Sequence, residues 1–93
     1  MKRPDHIYIC GHRVKILPMG EQADDTVGYC KSRIGEIYLC KELPDDQWME
    51  ILFHEAAHFI SDTHGLELTE NQVYSLSNGF CSMGLKLPEG RGK

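Results

Sequence analysis

From Asp45 to Asp62 no residue breaks a helix, and the stretch is apolar on nearly every side. Trp48, Met49, Ile51, Leu52, Phe53, Ala56, Ala57, Phe59 and Ile60 leave almost no polar face. A helix of that kind needs cover all round, so it belongs at the centre of a domain with the other elements packed on it. Leu43-Pro44-Asp45-Asp46 predicts its start, because acidic side chains accept from free N–H groups and suit the positive end of the helix dipole. Thr63-His64-Gly65 predicts its end, with Gly65 as a left-handed cap.

The rest of the chain has to supply that cover. With 93 residues the expectation is one domain spanning residues 1–93. A chain of this size buries only about 60–65% of the surface its unfolded form exposes, so the core is thin and a bound metal would help to hold it. Ile7-Tyr8-Ile9 and Arg13-Val14-Lys15-Ile16-Leu17 read as two strands joined by a tight turn at Cys10-Gly11. Pro18 to Asp25 reads as a loop, and Val27-Gly28-Tyr29-Cys30 as a short third strand. Ile34 to Cys40 is the best strand, with Ile37 and Leu39 alternating against Glu36 and Tyr38. Gly35 suits a bulge or a close backbone approach.

A second helix opens at Thr69, where Thr69-Glu70-Asn71-Gln72 fits a capping box. Val73, Leu76, Phe80 and Met83 give its apolar stripe and Gly84 ends it; the tail from Leu87 to Lys93 reads as loose. The predicted fold is α+β: a small antiparallel sheet packed on the central helix and on a second helix that carries Glu70.

The net charge of −4 gives no electrostatic reason to bind nucleic acid or an anionic membrane. The basic residues cluster only at Lys2-Arg3 and Arg91-Gly92-Lys93, ends that read as frayed. No apolar run reaches the roughly 18 residues of a membrane span, and Met1 to His6 lacks the apolar stretch of a signal peptide, so the expected location is the cytoplasm. There, Cys10, Cys30, Cys40 and Cys81, which form no CxxC pair, read as reduced and mostly buried thiols. A structural zinc site from Cys10, His12, Cys30 and Cys40 is the lesser alternative.

The chemistry sits inside the central helix, at His54-Glu55-Ala56-Ala57-His58. Two histidines four apart share one helix face, with Cβ atoms roughly 5–6 Å apart, which lets both reach one Zn²⁺ at about 2.0–2.1 Å. Glu55, beside the ion rather than on it, is placed to take a proton from water made acidic by the metal and to pass it to a leaving amine. Glu55 is also the only charged residue between Ile51 and Ile60. Burying it with two histidines and no partners would cost several kcal/mol, a cost that a metal removes.

A hydrolytic site needs a third protein ligand and an open fourth position. Glu70, in the first turn of the second helix, is the favoured choice: a helix packed on the motif helix would bring its carboxylate to the metal. His64 is the alternative, because residues 54–64 almost spell HExxHxxGxxH, but the glycine of that pattern is Ser61 here. Glu67 is a weaker version of the Glu70 idea. Tyr74, four after Glu70, is the first candidate to stabilise a developing oxyanion, although a packing role suits it as well. His6 and His12 read as surface histidines, and Trp48 and Phe53 as core.

In order and spacing, residues 34–39, 52–60 and 65–73 resemble the small phage-type and mobile-element zinc peptidases related to the ImmA/IrrE group. The resemblance covers roughly residues 27 to 85 and implies a minimal gluzincin. His54, His58 and Glu70 would hold one zinc per chain, with Glu55 as general base. It further implies that the strand from Gly35 to Cys40 is an edge strand along which a protein or peptide substrate pairs. A regulatory protein of the same element is the target class it suggests. Against the larger members, the 93 residues read as a departure, with no appended domain expected among them.

Two functional readings follow. The leading one is a zinc peptidase with the HExxH mechanism. The other is a non-catalytic binding or regulatory module for which zinc is a staple, a role that gains nothing from a carboxylate at Glu55. Zinc is the default metal for two histidines and a carboxylate; iron, cobalt or manganese also fit that donor set.

Overall fold

The first two strands, β1 (His6–Ile9) and β2 (His12–Pro18), form a hairpin because Cys10 and Gly11 both adopt positive φ, 51° and 83°. Two such residues make the turn whose twist matches that of the flanking strands, and Ile9 pairs with His12 across it. The protein is described here from a computed structural model, which covers residues 3–19 and 27–83. Most of the loop expected at Pro18 to Asp25, and all of the tail from Leu87, lie outside the described residues.

After the loop come β3 (Gly28–Lys31), a single 3₁₀ turn (Ser32–Ile34) and β4 (Glu36–Leu39). Gly35 links turn and strand at φ 67°, and a Cβ there would sit 3.3 Å from the carbonyl oxygen of Arg13. The close backbone approach expected at Gly35 is therefore present: the Lys15 amide donates to the Gly35 carbonyl at 2.9 Å. Ile34 belongs to the turn rather than to the strand and is exposed, whereas Ile37 and Leu39 are fully buried.

The α+β reading holds, with a correction to the sheet. Its order is β1-β2-β4-β3, and β2 pairs with β4 in parallel, so the sheet is mixed rather than antiparallel throughout. A second correction follows from the same order. The strand from Gly35 to Cys40, expected at an edge, is interior: every residue of β4 pairs with β2 on one side and β3 on the other. Its backbone groups are already used, so no peptide can add to it. Among the described residues, β3 is the strand beside α1 that pairs on one side only.

The long helix α1 (Asp45–His64) packs on β3, β4 and the second helix α2 (Glu70–Ser82). Trp48, Met49, Leu52 and Phe59 enter one core with Ile9, Val14, Ile16, Ile37 and Leu39, and Phe53 is partly buried against it. No side chain caps the start at Pro44; the acidic residues act within the first turn, where the Asp46 carboxylate accepts from the Gln47 amide at 2.9 Å. Arg3, expected at a frayed end, is anchored there instead. Its guanidinium donates to the Asp45 carboxylate and to the carbonyls of Lys41 and Leu43, and lies 5.1 Å over the Trp48 ring.

At the other end Gly65 adopts φ 65°, and the Leu66 amide returns to the Ser61 carbonyl at 2.9 Å, which stops the helix. The capping box of α2 is formed: the Thr69 hydroxyl accepts from the Gln72 amide, and the Gln72 side chain accepts from the Thr69 amide. Only part of its predicted stripe is buried. Val73 faces α1 together with Ser77, while Leu76, Phe80 and Met83 are exposed. Among the described residues, no helix is long and apolar enough to cross a membrane.

Candidate metal centre

Helical spacing on α1 sets the first two donors. His54 and His58 are one turn apart, and their rings meet edge to face with centroids 4.9 Å apart. The third donor comes from the first turn of α2, which the connection between the helices brings back over α1. Ser61, buried on α1, fixes that connection twice: its carbonyl accepts from Leu66, and its hydroxyl accepts from the Leu68 amide at 3.0 Å. The capping box then starts α2 at once, so Glu70 stands over the two histidines.

One Glu70 oxygen lies 2.8 Å from His54 Nε2 and the other lies 3.1 Å from His58 Nε2. The three side chains offer donor atoms all within 4.8 Å of one another, and they form a group that could hold a metal ion. A tetrahedral ion with bonds of about 2.0–2.1 Å sets its ligand atoms roughly 3.3 Å apart, so donors that lie within 4.8 Å of one another would have to draw in around one. Two imidazoles and one carboxylate leave the fourth position to another ligand. The donor set fits.

His64, the alternative third ligand, ends α1 exposed to solvent and outside this group. Glu67 is exposed in the connection, where it adopts φ 56°. Cys10, His12, Cys30 and Cys40 do not gather into a site among the described residues. All four cysteines are free; Cys10 is exposed and Cys30, Cys40 and Cys81 are half-buried, less covered than expected. His12 lies at the surface against the Phe59 ring, and the His6 ring N–H donates to the Asp5 carboxylate at 2.8 Å.

Glu55 is buried, only 8% exposed, and close enough to Cys30 of β3 to raise its thiol pKa. Burial pushes its carboxyl above the ordinary value; the nearby His58 and His54 oppose that push, and Glu70 adds to it. Among the described residues, its carboxylate has no hydrogen-bond partner. A desolvated carboxylate with free lone pairs beside a three-donor group has the makings of a proton acceptor. The Tyr74 ring stands edge-on to His54, 5.5 Å between centroids, and its side chain is exposed towards solvent.

Two features of the site escape sequence reasoning. Ser61 is the residue that aims α2; a lone small polar group on an otherwise apolar helix face is its only signal. A cavity of about 210 Å³ beside His54, lined in part by Glu50, Ile51, Val27 and Ser77, combines residues from three distant segments and has no local signature. Compared with protein-family models, with curated proteins and with solved structures, the chain matches none.

Proposed function

We propose that the chain is a small zinc-dependent peptidase, akin to the ImmA/IrrE-related enzymes. The observation that carries this reading is Glu55: a buried carboxylate, without a hydrogen bond among the described residues, next to three donors that suit a metal. His54 and His58 would hold the ion through Nε2, and Glu70 through its carboxylate. When bound, zinc supplies Lewis acidity towards both the attacking water and the carbonyl oxygen of the scissile bond.

The chain's own groups do the rest. Glu55 takes a proton from the attacking water and passes it to the leaving amine. No hydrogen bond occupies the Tyr74 hydroxyl among the described residues, so it is free to donate to the oxygen on which negative charge develops. An extended peptide finds its partner at the edge of β3 that is unpaired among the described residues, where Cys30 lies close enough to feel the charge of Glu55. A cytoplasmic regulatory protein remains the proposed target class.

A zinc staple without catalysis is the competing reading. Glu70 bridges both histidines directly, so these groups satisfy one another in any case and the metal could act on the fold alone. A casein digest separates the two. The zinc-loaded chain should cut the denatured protein, chelation should stop it, and Glu55→Gln should keep zinc yet lose about 100-fold or more of the activity. A zinc-loaded chain that cuts nothing would leave the staple.

A further inference from the structure

The cavity beside His54 has a chemical character of its own. Val27, Leu43 and Ile51 give it apolar walls, while Glu50, Gln47, Tyr74 and Ser77 contribute polar groups. Among the described residues, neither Lys nor Arg lines it. Glu50 is half-buried and forms no ion pair among the described residues. Its volume of about 210 Å³ is below the roughly 300–1,000 Å³ of sites that enclose a whole drug-sized ligand, which is the scale of one long side chain.

The geometry points to a specificity pocket for a lysine or arginine side chain of the substrate, selected by the carboxylate of Glu50. This inference rests on the peptidase reading. Glu50 and His54 are four residues apart on α1, one turn, or about 6 Å along the axis. A lysine or arginine whose backbone lies at the histidines can send its aliphatic stem along Ile51 and Val27 and set its charged head at Glu50. Such side chains bury a stem and keep a charged end, and this cavity offers an apolar wall followed by an acidic end. Gln47 adds an acceptor. Ser77, whose hydroxyl donates to the Tyr74 carbonyl at 3.1 Å, has its oxygen left to accept. A neutral side chain would bury Glu50 with no partner for its charge, so the pocket rejects apolar residues as well as attracting cations.

Two measurements on the full zinc-loaded chain test this. The first uses a probe that needs no catalysis: n-butylguanidinium, with neutral n-pentanol as control, titrated while backbone amide resonances are followed by NMR. Saturable shifts at Gln47, Glu50, Ile51 and Ser77 with the cation, absent with pentanol and lost in Glu50→Gln, are expected. Equal response to both probes, or a response unchanged in Glu50→Gln, overturns the pocket.

The second compares cleavage of peptide mixtures that differ only in lysine, arginine, norleucine or glutamate beside the cut. A preference for the two cations of about 10- to 100-fold in kcat/KM is expected, levelled by Glu50→Gln and shifted towards glutamate by Glu50→Lys. Zinc content equal to wild type shows that both variants fold. Cleavage without a cationic preference sinks the pocket and keeps the peptidase. Guanidinium binding without any cleavage keeps the pocket and sinks the peptidase.

Discussion

At the scale of the residue, the site depends on a contrast between neighbours along one helix. His54 and Glu55 are adjacent in sequence, yet one turns to Glu70 while the other is buried near Cys30 of β3. Glu55 lies outside the three-donor group, so on the proposed reading Glu55→Gln tests the chemistry apart from metal binding. The cysteines make a similar contrast. Burial pushes the Cys30 thiol up from its ordinary value of 9.0, whereas Cys10 stands exposed in the hairpin turn. At pH 8 iodoacetamide should label Cys10 well before Cys30, as peptide mass spectrometry can follow, because the thiolate is the reactive form. The sign for stability agrees: as pH rises through 9.0 the unfolded chain gives up the Cys30 proton first, so folding weakens above that pH.

At the scale of the element, α2 packs on α1 with Val73 fully buried, and hydrogen bonds to Ser61 fix the connection that leads into it. Ser61→Ala removes the acceptor of the Leu68 amide at a buried position. The expected cost is about 1–3 kcal/mol in a urea melt, with weaker metal affinity because Glu70 loses its fixed approach. Gly28 performs the equivalent service for β3. A Cβ there would lie 2.8 Å from Ile51 and 3.2 Å from the Tyr38 carbonyl, so Gly28→Ala must push β3 off α1. A destabilisation of about 1–3 kcal/mol by the same melt is expected. These close approaches were only partly legible in the sequence. The hairpin turn at Cys10-Gly11, the cap at Gly65 and the box at Thr69 depend on neighbours in the chain, and each is found where local chemistry puts it. The stripe on α2 was misread beyond Val73, because periodicity shows which residues share a face but not how far along it a partner extends.

At the scale of the whole molecule, topology is what the sequence withheld. Which strand takes the edge depends on pairings between distant segments, and β2 joins β4 in parallel across all of β3. An isolated strand pattern carries no record of that choice, so the proposed substrate edge moves from β4 to β3. The three-donor group was legible in part: helix spacing gives His54 and His58, while Glu70 against His64 is a question of how two helices pack. The thin core gives a metal leverage over the fold. Free metal at about 1,000 times its dissociation constant adds roughly 4 kcal/mol, which for a domain this small raises the melting temperature by about 15 °C or more. Calorimetry with and without a chelator should show that gap, and His58→Ala should abolish it.

The most direct test of the metallopeptidase account is metal content by mass spectrometry on wild type, His58→Ala, Glu70→Gln, His64→Ala and Glu55→Gln. The account predicts one zinc per chain, lost in His58→Ala and Glu70→Gln and retained in His64→Ala and Glu55→Gln. No zinc in the wild-type chain, or zinc that survives Glu70→Gln and disappears in His64→Ala, would contradict it.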